Sequence, residues 1–246
     1  MDGIAPMAAD VRRVTSCRLT VAPYRWAFAE ARAAEIAAHW DEQRAANPSY
    51  FNGTVLMLAD YRISGDDLVA NAFVTEFRSY LFWRSLGFPD AGAIDGFGSA
   101  VIRASDGSLL LGRQRNGQMN AGLDYLPGGF IDSRDIGADG RIDIVASVAR
   151  EVAEETGLRL DELAVEPGFV VTRIGTQLSI GVPFRSALDS AALRRRVEAH
   201  IESEPDGELQ SVRCVAKMAD LTDARLAGYC VPLLPVLLGV EGGGLG

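Results

Sequence analysis

The sequence predicts an α/β fold of the mixed, α+β kind: a mixed sheet with helices on both faces, an α/β/α sandwich, preceded by a smaller α/β extension. Three observations predict it. Strand-like and helix-like segments alternate along all 246 residues. Beyond residue 94 the texture changes to short β-rich runs separated by glycine turns. Between two groups of those runs lies one helix candidate, 143–156, whose apolar and acidic residues fall on different faces. An apolar content of 48% is enough for a packed core.

The first element is a strand over 16–22, where apolar and polar residues alternate weakly. An alanine-rich run, 26–46, places Phe28, Ala33, Ile36 and Trp40 at roughly helical spacing, and Asn47-Pro48 ends it because the residue before proline is pushed out of the helical region. Strands follow over 53–62 and 68–73. Thr75 is the expected N-cap of a helix over 76–86, which Gly87 and Pro89 stop. These elements form the N-terminal extension, residues 1–93.

The second unit spans 94–240. Strands over 96–104 and 108–114 flank Asp106-Gly107, a hairpin turn signal. A glycine-containing stretch leads to Pro127-Gly128-Gly129, and a polar loop, 132–140, precedes the helix over 143–156. Strands over 165–174 and 178–184, a charged helix over 191–204, a strand over 208–215 and short helical pieces complete it. The glycine-rich tail, within 241–246, is expected to be disordered.

Several function classes are excluded. No window approaches the roughly 18 uninterrupted apolar residues of a membrane span, and the opening residues have neither the basic start nor the apolar core of a secretory signal. A cytoplasmic protein that does not insert in membranes is the expectation. Cys17, Cys214 and Cys230 share no metal-ligand spacing, and His39 and His200 lie far apart, which argues against zinc or a disulfide scaffold. A net charge of -9 opposes a general nucleic-acid surface, which must neutralise many phosphates. A small anionic substrate remains compatible with it if a metal and a few arginines act locally.

The informative segment is Arg150-Glu151-Val152-Ala153-Glu154-Glu155-Thr156-Gly157-Leu158. Steps of three and four bring Glu151, Glu154 and Glu155 to one helix face, where like charges repel by about 0.2–0.5 kcal/mol per adjacent pair. A cation resolves the repulsion, and an all-oxygen ligand set suits Mg2+ or Mn2+. Gly157 stops the helix, so the carboxylates sit in its last turn, where free carbonyls also favour a cation.

This segment resembles the signature of the Nudix hydrolases, G-x5-E-x7-R-E-U-x-E-E-x-G-U with U bulky and apolar, and it matches each specified position from Arg150 to Leu158. Pro127-Gly128-Gly129 resembles the entry to that signature. Counted back from Arg150, the isolated glutamate of the pattern falls on Ile142, and Gly129 stands twenty-one positions before Arg150 instead of fourteen. The loop therefore carries about seven extra residues, and 132–140 is expected to be a variable surface excursion with no role assigned to Asp132, Asp135 or Asp139.

The resemblance implies a Nudix-type sandwich that hydrolyses a diphosphate bond with Mg2+. Glu154 and Glu155 are implied as the principal metal ligands, Glu151 as a further ligand or the general base, and the Gly129 carbonyl as another ligand. Arg150 would hold a neighbouring carboxylate, and Glu208 is the candidate downstream acid. Arg113 and Arg115, ending a predicted strand, are expected to grip phosphate. Two substrate resemblances compete. Leu109, Leu110, Arg113, Gly122 and the Pro-Gly-Gly follow the coenzyme A diphosphatase motif, from which Gln114 and Gln118 depart. Asn47-Pro48-Ser49-Tyr50-Phe51-Asn52-Gly53, with Thr75, Arg78 and Leu81, resembles the extension of the animal UDP-glucose diphosphatase branch. A UDP-sugar is the favoured small-molecule nucleotide substrate; coenzyme A, or nucleotide binding without cleavage, is the alternative. The extension has three open roles: the interface of a homodimer, a wall of the cleft, or a cover for the sheet.

Overall fold

The computed structural model describes residues 9–240, so the tail expected to be disordered lies outside the described residues. The chain opens with strand β1 (Ala9–Val14), which the sequence did not announce: only Val14 is buried, so no alternation marks it. Strand β2 (Ser16–Val21) follows as expected. The expected long helix arrives in two pieces, α1 (Ala27–Ala31) and α2 (Ala33–Ala46). Between them Arg32 leaves the helical region, at φ -109° and ψ 18°, with its guanidinium over the rings of Phe28 and Phe82.

Strands β3 (Thr54–Ser64) and β4 (Asp67–Glu76) form an antiparallel pair. Thr75 does not cap the next helix, because it is still in β4 opposite Val55. Helix α3 (Phe77–Ser85) instead takes its capping acceptor from a distant loop: Asn52 Oδ1 accepts the Arg78 N–H at 2.9 Å. Residues Ser79 to Trp83 of α3 are all buried. Tyr80 and Trp83 join Trp26, Val55, Met57 and Phe73 in an aromatic-rich cluster.

The rest of the chain supplies β5 (Asp95–Arg103), β6 (Leu109–Gln114), β7 (Asp124–Tyr125), β8 (Arg141–Ile142), α4 (Ile144–Thr156), β9 (Leu163–Val165), β10 (Phe169–Ile174), β11 (Gln177–Ser186), α5 (Ser190–Ser203), β12 (Leu209–Val215) and α6 (Cys230–Leu237). The single strand expected over 165–174 is two, interrupted at Pro167-Gly168.

The larger sheet has eight strands in the order β1-β10-β11-β5-β6-β12, with β7 on β6 and β9 on β11. Strands β5 and β11 run parallel, making the sheet mixed. The smaller sheet has the order β3-β4-β2-β8. Pairings cross between the two parts of the chain in both directions: β1 joins β10 of the larger sheet, and β8, from the loop before α4, joins β2 of the smaller one. Leu109, Leu110, Leu111, Ile180 and Phe184 from the larger sheet are fully buried together with Val148 of α4. Burying such apolar side chains contributes roughly 1.5–3 kcal/mol each, and this fixes α4 against the sheet.

Candidate active site

Helix α4 begins at Asp143, whose side chain accepts the Val145 and Ala146 N–H groups at 3.1 and 3.0 Å. It ends at Gly157 in the left-handed region, φ 72°, where a side chain would also meet the His200 ring. Ile144, Val148 and Val152 face the core. Glu155 is buried on the same side, Glu151 flanks it, and Arg150 and Glu154 lie further round the helix.

The three glutamates differ in exposure. Glu155 is 5% exposed and accepts hydrogen bonds from Tyr125 Oη at 3.0 Å and the Gly128 N–H at 3.3 Å. Glu151 lies against the Gly129 backbone so closely that a Cβ at residue 129 would fall 2.5 Å from Glu151 Oε2, so a side chain there would displace the carboxylate. Its other oxygen accepts from Arg150 at 2.5 Å. Glu154 is half exposed, with Arg150 at 3.6 Å and Arg134 at 3.8 Å. Glu208, just ahead of β12, joins the group from a different element, and its carboxylate accepts from Gln114 Nε2 at 3.4 Å.

These carboxylates disturb one another. Burial pushes Glu151 up to about 7, with Glu154 and Glu208 adding to the rise and Arg150 opposing it. Burial also raises Glu155 well above the usual carboxylate range, and the neighbouring charge of Glu208 raises it further. Burial raises Glu208, and Glu154 adds to that. Three acids, Glu151, Glu155 and Glu208, that each suffer from desolvation and from neighbouring carboxylates fit a hard divalent cation, which removes both penalties. As the side chains stand, no three His, Cys, Asp or Glu groups among the described residues are gathered around one point. Each carboxylate keeps free lone pairs beside its present partner, so binding requires the side chains to draw together. The Gly129 carbonyl accepts the Gly98 N–H at 3.2 Å, which leaves its second lone pair free.

Arg150 is fixed by an acid that the sequence reading left without a role. Asp135 is nearly buried, and it accepts from Arg150 at 3.1 Å and from Ser147 Oγ at 2.8 Å. Counted forward from Gly129 instead of back from Arg150, five residues intervene and Asp135 occupies the place of the isolated glutamate. The inserted residues therefore lie after it. Ile136 and Ile142 close them off with an antiparallel bridge, and Ile142, buried, pairs with Leu19 of β2. The loop 132–140 is thus not a plain surface excursion: its first part, Asp132 to Ile136, braces the site.

Arg113 and Arg115 are a further correction. Neither lines the cavity beside the acidic group. Arg113 donates to Asp124 at 2.8 Å, and Asp124, 1% exposed, has Arg213 at 3.4 Å on its other oxygen. A buried carboxylate needs cationic partners, so it holds both arginines away from the cleft. Arg115 donates to the carbonyls of Gly207 and Leu209, each at 2.9 Å. The arginines that do line the cavity are Arg84, from α3, and Arg134.

The cavity has a volume of about 320 Å³. Gly128, Gly129, Glu151 and Glu208 line it beside the acidic group, and Thr54, Val55, Tyr80 and Arg84 bring the N-terminal extension into its wall. Of the three roles left open for the extension, forming one wall of the cleft is therefore realised.

A mixed sandwich whose central helix carries acids at the edge of such a cavity, Glu151 lining it, has the make-up of a hydrolase acting on an anionic substrate with a metal ion. The NUDIX domain model matches residues 95–231, more than half of the chain, and the chain belongs to the Nudix family of hydrolases, which cleave the pyrophosphate linkage of nucleoside diphosphate derivatives. Solved structures are similar to part of the chain. A Nudix hydrolase from M. smegmatis, RenU, is 18% identical over 63% of this chain and 95% of its own, with a TM-score of 0.40. A MutT protein from Methanosarcina mazei Go1 is 22% identical over 58% of this chain and 92% of its own, also at 0.40. A bifunctional NMN adenylyltransferase/ADP ribose pyrophosphatase from Francisella tularensis is 15% identical over 61% of this chain and 42% of its own, at 0.38. No curated protein matches the chain. No helix among the described residues is long and apolar enough to cross a membrane.

Proposed function

We propose that this hydrolase splits a UDP-sugar into UMP and a sugar 1-phosphate. The observation that carries the reading is the composition of the cavity wall. Asn52, within the segment that resembles the UDP-glucose diphosphatase extension, caps α3, and α3 then supplies Tyr80 and Arg84 to the cavity. An extension of that kind is thereby tied to the substrate site. The competing coenzyme A reading is weaker, because Arg113, the one arginine matched to its motif, is turned onto Asp124.

In this reading Glu151, Glu154 and Glu155, with the Gly129 carbonyl, hold magnesium, which supplies charge neutralisation at the phosphate oxygens and a more acidic water. The chain's own residues do the rest. Arg150, clamped by Asp135, sets the direction of the Glu151 carboxylate. Arg84 and Arg134 meet the diphosphate in the cavity. Water attacks one phosphorus in line: its oxygen forms the new P–O bond, the bridging P–O bond breaks, and the water's proton passes to a carboxylate, Glu208 or Glu151. The departing phosphate keeps the bridging oxygen.

Specificity constants for UDP-glucose and coenzyme A, measured side by side at saturating magnesium with the products identified, test the reading. UMP and glucose 1-phosphate from the first, with little turnover of the second, is the expected result. A clear preference for coenzyme A overturns the UDP-sugar assignment and leaves the hydrolase standing.

A further inference from the structure

The same cavity holds a second polar group that the cleavage chemistry does not use. Asp95, the first residue of β5, lines the cavity and is 3% exposed. Tyr80 Oη donates to its Oδ2 at 3.2 Å, and Gln177 Nε2 donates to the same oxygen at 2.9 Å. Both contacts among the described residues therefore fall on one carboxylate oxygen. A carboxylate only accepts, so the contact also fixes the Gln177 amide: its nitrogen faces Asp95 and its Oε1 is presented as an acceptor. Asp95 Oδ1 and Gln177 Oε1 are acceptors in a cavity wall that also holds the charge of Arg84 and an aromatic pair, Tyr80 packed edge-on against Phe130 at 4.7 Å. Gln177 is only partly buried, so the pair is open to the cavity, where a ligand's donors can replace the water that otherwise meets these acceptors.

We propose that Asp95 and Gln177 determine specificity by reading two adjacent hydrogen-bond donors on the substrate beside its diphosphate, and that these donors are neighbouring hydroxyls of the sugar. The inference rests on the UDP-sugar reading. Hydroxyls suit the site because each can donate to one acceptor while the C–H face of the ring lies on an aromatic wall. Donors of the same chemistry on a nucleobase edge are the competing source, and the test separates them.

The test compares wild type, Asp95→Asn and Gln177→Leu on UDP-glucose, on UDP-glucose analogues each lacking one sugar hydroxyl, and on ADP-glucose and GDP-glucose. Asp95→Asn keeps the shape but turns a donor toward donors. Both variants are expected to lower kcat/KM for UDP-glucose roughly ten- to a hundredfold, mainly through KM. At least one deoxy analogue should cost wild type a similar factor and cost Asp95→Asn nothing more, because the contact is already gone. Unchanged kcat/KM in both variants overturns the proposal. So does a loss of equal size on every deoxy analogue with a reordered preference among the three bases, since the acceptors then read the base. Thermal melts accompany the kinetics, and Gln177→Leu, at a partly exposed strand end, carries the test if Asp95→Asn does not fold. Wild type that neglects every UDP-sugar instead refutes the UDP-sugar reading, and the same deletion series on the nucleoside diphosphate derivative it does cleave then decides the role of Asp95.

Discussion

Glu155 and Asp95 are buried to nearly the same degree, 5% and 3% exposed, and each accepts two hydrogen bonds, one of them from a tyrosine. What differs is the sign of the neighbouring charge. Glu155 sits among Glu208 and Glu151, which raise its pKa beyond what burial does. Asp95 is raised by burial, while Gln177, Tyr80 and the charge of Arg84 oppose the rise. Hydrogen bonding alone therefore does not tell what a buried acid is for. Repelling neighbours call for a cation; compensated ones leave an acceptor suited to neutral donors.

The sharpest way to break this contrast is to remove one charge from the acidic group. Glu155→Gln keeps the shape and deletes the repulsion, so turnover should fall at least about a hundredfold while the metal-free protein melts higher. Glu154→Gln should share the loss of turnover. Near-wild-type rates in both variants would unseat the metal assignment. Asp95→Asn should show neither signature: its losses appear in KM, and its melt does not rise.

Next in size is Asp135→Asn, which weakens the clamp on Arg150 without touching the glutamates. A loss of roughly ten- to a hundredfold is expected, as for other groups that orient a metal ligand. It should appear in kcat, whereas a change confined to KM would mean that Asp135 acts on substrate binding instead.

A smaller effect of the acidic group shows through pH. Glu151 has its folded pKa raised to about 7 from an ordinary carboxylate value of 4.5, so folding favours its protonated form. The sign follows from linkage: this contribution is fully present below about pH 4.5 and is lost as pH rises through 7. Metal-free protein should therefore lose roughly 1–3 kcal/mol between pH 5 and 8 from this group, a drop of several degrees in Tm. Magnesium should restore more of the Tm at pH 8 than at pH 5.5. A metal-free melt that is flat across this range, with wild type and Glu151→Gln alike, speaks against the repulsive cluster.

How legible this was in the sequence depends on how local each feature is. The glutamate face of α4 is written in steps of three and four within one helix, and Asp143 and Gly157 mark its ends, so helix, face and stop were all readable. Asp135 was hidden by an insertion: counting back from Arg150 lands on Ile142, and only the structure shows that the added residues follow the acid. Arg113 and Arg115 misled because a strand end tells where a side chain starts but not which buried carbonyl or carboxylate claims it. Asp95, Gln177 and Tyr80 meet from β5, β11 and α3, and no short motif records their convergence. Strand β1 escaped because five of its six residues are not buried and show no alternation.

The smallest expected effect lies in the inserted hairpin, and it tests whether the brace and the insertion are separable. Ile136 and Ile142 pinch the segment at its base, and the Gly137 N–H donates to the Arg141 carbonyl at 2.7 Å to close the turn. On the outer side, Arg141 and Ile142 pair with Thr20 and Leu19 of β2. Ala138 and Asp139 at the tip are exposed, and Asp139 adds an acceptor for the Arg141 N–H at 3.1 Å and a solvent-exposed contact to its guanidinium at 3.6 Å, the latter of a kind worth about 0–1 kcal/mol. Deleting these two residues leaves Asp135 on Arg150 and Ile142 on β2. Turnover within about twofold of wild type, and a stability change near 0.5 kcal/mol, is the outcome expected of a surface trim. A tenfold loss with the fold intact would mean that the strain of a shortened turn reaches Asp135 through Ile136, so that the hairpin tensions the clamp on Arg150 and is part of the site it flanks.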